Sequence, residues 1–183
     1  MQRTRRVPMK TRGVAIVAVA ALATFAAALP ASAAPGDTTA TLTVTGGALS
    51  ITVPASAGSL GTRANTVAAG TISGPLGQVQ VDDARSAAAG STWTASAIST
   101  AFIGQSPALP ATGISYSAGT IGKVGTATYA ANDPASLVGV APVVTATEIT
   151  GDNAATWTPT ITVAVPSGSV AGTYSATITH SVL

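Results

Sequence analysis

The side chains that carry out most enzyme chemistry are scarce in this sequence. His180 is the single histidine, Glu148 is the single glutamate, and cysteine is absent. A Ser-His-Asp triad would need His180 as its base, yet no Gly-x-Ser-x-Gly motif marks a nucleophile. A carboxylate pair for glycoside hydrolysis would need Glu148, and nothing marks its partner. The sequence therefore predicts a non-enzymatic protein without a cofactor.

The aspartates could instead hold a cation, since calcium prefers oxygen ligands. Asp82-Asp83, Asp133 and Asp152-Asn153 fall at the ends of predicted strands or in loops, but none has the alternating Asp-x-Asp-x-Asp spacing of a calcium loop. Asp and Asn at such positions ordinarily cap turns with their side-chain oxygens. We therefore predict turn-capping roles and no metal site.

Two further motifs are associated with covalent chemistry in surface proteins. Leu109-Pro110-Ala111-Thr112-Gly113 matches a sortase signal, but the apolar span and basic tail that wall attachment needs do not follow it directly. Lys123 is the single lysine after residue 33, and an isopeptide bond beside Glu148 could join it to Asn65, Asn132 or Asn153. We expect an ordinary loop at the first motif and an exposed, solubilising lysine at the second.

The first 33 residues have the pattern of an export signal. Five basic residues lie within the first twelve positions, and an apolar run of seventeen residues extends from Gly13 to Leu29. A proline ends the run, and Ala31-Ser32-Ala33 supplies the small residues that signal peptidase needs, so we predict cleavage after Ala33. An uncleaved anchor is the weaker alternative, because the run is at the low limit for a membrane span. Arg5-Arg6 partly matches a twin-arginine signal, whereas a start at Met9 would give an ordinary secretory signal.

After residue 33 the chain has three basic and six acidic residues. A protein that binds nucleic acid needs a basic surface to neutralise phosphates, so we predict no nucleic-acid partner. The absence of cysteine excludes a disulfide scaffold and a thiolate zinc site. Residues 34–183 have the length of one domain, and we predict no membrane span within them.

Apolar residues alternate with Thr or Ser in short runs that end at glycine or proline, a pattern that predicts half-buried strands. Ala40, Leu42 and Val44 form one such run, and Gly46-Gly47 predicts a hairpin turn to the next. Further strands are predicted near residues 49–53, 79–81, 93–98, 114–117, 126–129, 143–147 and 160–165. The clearest run is the last, with one face formed by Tyr174, Ala176, Ile178, His180 and Val182.

No stretch of ten residues after residue 33 has helical periodicity. The sequence therefore predicts an all-β protein, a single antiparallel β-sandwich of eight to ten short strands over residues 34–183. Trp93 and Trp157 could each fill a core of small residues or present a flat stacking face to a ligand, and we expect at least one to be buried. The candidate ligand-binding residues are Trp93, His180 and Tyr174.

Two stretches resemble the signatures of WxL-domain surface proteins of Gram-positive bacteria. Gly90-Ser91-Thr92-Trp93-Thr94-Ala95 resembles the first signature, and residues 171–182, AGTYSATITHSV, resemble the C-terminal one. The sequence departs from the family at Ala95, where the first signature has leucine. It also departs at His180 and Val182, which stand at the Trp and Leu positions of the second.

The resemblance implies an Ig-like sandwich that is exported to the cell surface. It also implies non-covalent association with the cell wall, with peptidoglycan or an attached polymer as ligand, often together with other surface proteins. A second function from the structural class is a subunit or spacer of a surface protein assembly. Flat Thr- and Ser-rich strands would then pair edge to edge between chains.

Overall fold

The computed structural model describes residues 38–105 and 107–183, so the predicted signal peptide and its cleavage site lie outside the described residues. This part of the chain forms eight strands and one short 3-10 helix at Ala111–Gly113, and it contains no α-helix. The strands are β1 (Leu49–Thr52), β2 (Gly70–Pro75), β3 (Val79–Ser99), β4 (Ile114–Ser117), β5 (Gly122–Ala131), β6 (Ala141–Trp157), β7 (Thr160–Val165) and β8 (Ile178–Val182). The predicted all-β fold is confirmed.

The strands form two sheets in which every pair is antiparallel. The larger sheet has the order β1-β3-β6-β5, with β8 also paired to β3, and the smaller sheet has the order β2-β7-β4. One hydrophobic core takes Val81 and Ile149 from the larger sheet and Ile114 and Ile161 from the smaller one. Two antiparallel sheets that share one core are arranged as in a β-sandwich. Leu42–Leu183 form one compact unit.

Small side chains make up much of this core. The alanines that are at most 1% exposed are Ala95, Ala97, Ala118, Ala146 and Ala155. Trp93 and Trp157, which are 1% and 2% exposed, are the largest buried side chains. An indole contributes far more buried apolar area than an alanine, so these two residues fill much of the volume that the alanines leave.

The longest strand, β3, is interrupted at its centre. Between the pairs Asp83–Asn153 and Trp93–Ala146, β3 has nine residues and β6 has six, and the register shifts within this stretch. Ser86 and Gly90 both have positive φ, at 53° and 87°. Extra residues of this kind form a bulge that bends a strand and increases its twist. The two regular halves of β3 therefore pair with β6 on either side of a bulged centre.

Two short strands share one edge of β3. β1 pairs with residues 80–83 and β8 with residues 95–99, both antiparallel, so β1 and β8 run in the same direction. Beyond the strand ends, the N–H of Gly47 donates to Ala84, and Leu183 exchanges two hydrogen bonds of 2.9 and 3.1 Å with Thr94. This edge of the larger sheet is thus completed in two pieces, with the bulge of β3 between them.

The hairpin predicted at Gly46-Gly47 is wrong. Both residues run alongside β3, where a Cβ on Gly46 would lie 2.8 Å from the carbonyl oxygen of Arg85 and one on Gly47 would lie 2.9 Å from the Cβ of Ala84. Glycine is favoured here by the close approach of a neighbouring strand. The strand predicted near residues 40–44 does not form, and Leu42 and Val44 are 90% and 79% exposed.

Candidate functional site

Trp93 lies inside the sandwich and does not face a ligand. Its indole N–H donates a 2.9 Å hydrogen bond to the side-chain oxygen of Asn153, and its ring packs against Tyr129 at a centroid distance of 5.8 Å. A side chain that is 1% exposed offers no stacking face at the surface. Trp93 is therefore withdrawn as a ligand-binding residue, whereas the expectation that at least one tryptophan is buried is confirmed.

A chain of polar side chains extends from Trp93 to the protein surface. The Asn153 amide donates to the carboxylate of Asp83 at 3.1 Å, and Arg85 holds the same carboxylate through two side-chain hydrogen bonds of 2.8 and 2.9 Å. These bonds from Arg85 keep the pKa of Asp83 below its ordinary value, although burial opposes them. Asp83 is therefore a buried anion with matched donors, which is the condition under which a charge is tolerated in a core.

Asp133 and Asp152 have local structural roles. Asp133 accepts the backbone N–H of Ala118 at 2.7 Å, and Asp152 accepts that of Ser86 at 2.8 Å. Both bonds satisfy backbone donors that would otherwise lack a partner. Within the described residues, no group of three or more acidic or histidine side chains is placed to hold a metal ion.

The two covalent motifs are also part of the folded structure. Lys123 is exposed on β5, with its ammonium 5.8 Å from the centroid of the Tyr129 ring. The Asn153 oxygen accepts hydrogen bonds from Trp93 and Tyr129, so that amide is engaged in the core. Leu109 of the sortase-like motif is 4% exposed and pairs with Phe102, which places the motif within the fold.

The other two candidate residues, Tyr174 and His180, meet at a cavity of about 810 Å³, which we call the edge cleft. The edge cleft is lined by residues 53–65, by residues 169–178 and by His180. Its apolar lining comes from both sheets and from the loops between them, and includes Ile72, Leu76, Val79, Phe102, Leu109 and Val165. The cleft is thus a gap beside β8 that the core side chains do not fill.

His180 brings one unmatched polar atom to the edge cleft. Its Nε2 lies 3.3 Å from the hydroxyl of Tyr116, which accepts a 2.7 Å hydrogen bond from the indole N–H of Trp157. Its Nδ1 is buried and has no hydrogen-bond partner. Burial lowers the pKa of His180 and raises that of Tyr116. The imidazole is therefore neutral at neutral pH. It contacts the Tyr116 hydroxyl, which is in turn bonded to Trp157 in the core.

Tyr174 lies at the rim of the same cleft. It is half-buried, and its hydroxyl donates a 2.8 Å hydrogen bond to the carbonyl of Val170. The alternation of the last run is confirmed in the structure, because the side chains at 174, 176, 178, 180 and 182 are half-buried and those between them are exposed. The alternation in the sequence is sufficient to place Tyr174 and His180 on one face.

Tyr116 is the contact of His180 that the sequence did not identify. It lies on β4, 64 positions before His180. Strand periodicity predicted that β4 is a strand, but it carries no information about which strands face each other across a core. The lining of the edge cleft is of mixed character: it combines apolar side chains with His180, Arg63 and Tyr174. A concave site of this kind is suited to binding a ligand.

No protein-family model matches the chain, and neither the curated proteins nor the solved structures contain a significant match to it. Among residues 38–105 and 107–183, no helix combines the length and apolar character needed to cross a membrane.

The first prediction concerns the buried chain of polar side chains. Asn153→Ala would leave the Trp93 indole N–H and one carboxylate oxygen of Asp83 without this partner, so we expect a loss of about 2–4 kcal/mol in the free energy of unfolding. Asn132→Ala is the matched control, since the Asn132 amide makes one exposed hydrogen bond to Thr145, and it should cost less than about 1 kcal/mol. Denaturant unfolding measures both values, and equal losses would contradict the structural role of Asn153.

The second prediction concerns the pH dependence of stability. Because burial lowers the pKa of His180 in the folded protein, the unfolded chain binds more protons below about pH 6.5, the ordinary pKa of histidine. Stability should therefore fall as the pH decreases from 7 to 5, and His180→Leu should reduce this slope. The pKa of Asp83 is lowered, so its contribution is lost at more acidic pH. Thermal unfolding between pH 5 and 8 tests this, and identical slopes for the two proteins would contradict it.

Proposed function

We propose that this chain is exported and acts at the cell surface as a non-enzymatic subunit of a protein assembly in which strand edges pair between chains. The export signal predicted over residues 1–33 supports the location. The structural roles of Asp83, Asp133 and Asp152 support the absence of catalysis, because their carboxylates are engaged in hydrogen bonds that hold the fold. The observation that carries the proposal is the unprotected edge of β8.

Sheet edges in monomeric proteins are normally protected by charged residues, proline, bulges or very short strands. The edge strand β5 follows this rule, since it carries Lys123 and its register with β6 shifts at Gly125 and Thr126. β4, at an edge of the smaller sheet, has only four residues. β8 is also short, with five residues, but it contains no lysine, arginine, acidic residue or proline, and its pairing with β3 has an unbroken register that Leu183 extends by one residue.

The second edge of β8 has no strand paired to it among the described residues. In an antiparallel pair, alternate residues direct their N–H and C=O groups toward the neighbour. Leu183 exchanges both bonds with Thr94, so the backbone groups of Val182, His180 and Ile178 point away from β3. Among the described residues, no backbone hydrogen bond from outside β3 reaches these groups. An added strand would satisfy them.

A second function, direct association with a cell-wall polymer, is favoured by the edge cleft. The resemblance to WxL-domain proteins points to the same ligand class, and Tyr174 and His180 lie together at this cleft. Its lining includes residues 55–62 and 169–175, which are rich in hydroxyl-bearing residues and glycine and offer hydrogen-bonding groups to a polar chain. In this function Tyr174, rather than Trp93, would provide the ring that contacts the polymer.

Assembly is tested by light scattering on protein secreted from the full chain. We expect the mass to rise with protein concentration and Val182→Pro to reduce association at least tenfold, because proline removes an N–H from the free edge and keeps the bonds to β3. Val182→Thr retains that N–H and should associate like the wild type. A monomer at all concentrations, or equal association of the two variants, would contradict pairing at this edge.

Wall association is tested by co-sedimentation with whole cell walls and with peptidoglycan stripped of attached polymers. Under the second function, Tyr174→Ala should reduce the pelleted fraction several-fold because the aromatic contact is lost. Tyr174→Phe keeps the ring and should pellet like the wild type. Wild-type protein that stays in solution with both preparations would rule this function out.

A further inference from the structure

We infer that the strand received by the free edge of β8 is the segment 39–45 of a second copy of this chain, with Leu42 and Val44 directed into the edge cleft. This inference rests on the proposed function and names the partner and the contact that carry it. It connects three observations: an unpaired donor segment, an unpaired acceptor edge and an unfilled cavity beside that edge.

The donor segment has the pattern of a half-buried strand without a sheet to complete it. Ala40, Leu42 and Val44 alternate with the four threonines at 39, 41, 43 and 45, which gives one apolar and one hydroxyl face. Leu42 and Val44 are nevertheless 90% and 79% exposed. Single exposed apolar residues are ordinary on a protein surface, but a regular apolar row indicates a face that is buried against a partner.

The acceptor edge presents matching faces. The inner face of β8 carries Ile178, His180 and Val182, and its outer face carries Thr179 and Ser181. A strand laid beside β8 continues both faces of the sheet. The apolar row of the donor would extend the inner face, and its threonines would extend the hydroxyl-bearing outer face.

The edge cleft provides space for the donor's apolar side chains. Its volume of about 810 Å³ lies on the inner side of β8, and Ile72, Phe102 and Val165 contribute apolar lining. The buried Nδ1 of His180 has no partner in one copy. Burial of Leu42 and Val44 in this cavity would remove apolar surface from water on both partners, which is the main favourable term in protein association.

A second copy is favoured over the segment's own chain. The chain is fixed to β3 from Gly47 onward by the bond to Ala84 and by the register of β1. Leu42 and Val44 lie just before this point and remain exposed. Within a single chain, the apolar row of segment 39–45 therefore stays uncovered. Exchange of this segment between two copies would cover the row in both. Reciprocal exchange closes a symmetric dimer, whereas one-way exchange continues into a chain of subunits.

The absence of cysteine from the sequence allows a direct cross-linking test. Thr43→Cys and Thr179→Cys are introduced into separately tagged copies of the protein secreted from the full chain, and the two are mixed under mild oxidation. Both threonines are exposed on outer faces, so neither change disturbs the core. We expect a mixed disulfide dimer at least fivefold more abundant than with Thr126→Cys, an exposed threonine on β5, as the acceptor.

Two results would overturn the inference. One is equal cross-linking to position 126 and position 179. The other is a disulfide that forms only within single molecules of the double variant Thr43→Cys/Thr179→Cys, which would make the chain's own segment the occupant. A mixed dimer whose linkage is mapped to positions 43 and 179 by mass spectrometry supports it.

A charge substitution separates this inference from the proposed function. Leu42→Asp/Val44→Asp should weaken association at least tenfold without changing the melting temperature of the monomer, because both side chains are exposed in one copy. Thr41→Asp/Thr43→Asp adds the same charge on the other face and should associate more strongly than the first pair. Undiminished assembly of the Leu42/Val44 variant would overturn this inference and leave edge assembly standing, whereas a monomeric wild type would overturn both.

Discussion

The fold depends on the burial of two indoles and one carboxylate in a core that is otherwise poor in large apolar side chains. Alanine occupies many interior positions, so Trp93 and Trp157 supply bulk, and each brings an N–H that must be bonded when water is excluded. Asn153 receives one and the Tyr116 hydroxyl receives the other. The Asn153 amide then donates to the Asp83 carboxylate, which also accepts a hydrogen bond from the Arg85 guanidinium. Every member of this series fixes the position of the next, as in connected polar networks generally.

The polar network around Asn153 also connects the core to the edge of the larger sheet that β1 and β8 form. Asp83 and Trp93 stand on either side of the bulge in β3, and both are hydrogen-bonded to Asn153 on β6. The bulged stretch lies between the positions where β1 and β8 pair. The polar network therefore holds together the two halves of a strand whose outer edge is completed in two pieces.

Sequence patterns identified strands where the alternation was uninterrupted. Residues 114–117 and 160–165 match β4 and β7, because their runs end at clear turn or proline signals. β2 was missed since Gly70, Gly74 and Pro75 conceal its alternation. A Cβ on Gly74 would lie 2.5 Å from the carbonyl oxygen of Leu60, a tertiary requirement with no local signature. The burial of Trp93 also could not be predicted from the alternation. A period of two assigns residues to two faces of a strand, but it does not show which face is covered.

The two-piece edge also has a consequence for the order in which the protein folds. The two strands that complete β3 come from opposite ends of the described chain. β1 pairs with residues 28–34 positions away, whereas β8 pairs with residues 79–87 positions away. Contacts between distant residues form slowly because long loops must close first. A chain that folds from its N-terminal side would build β1, β3 and β6 while residues 95–99 still lack their outer neighbour. Until β8 arrives, that half of β3 is a vacant strand site, open to whichever extended segment is nearest.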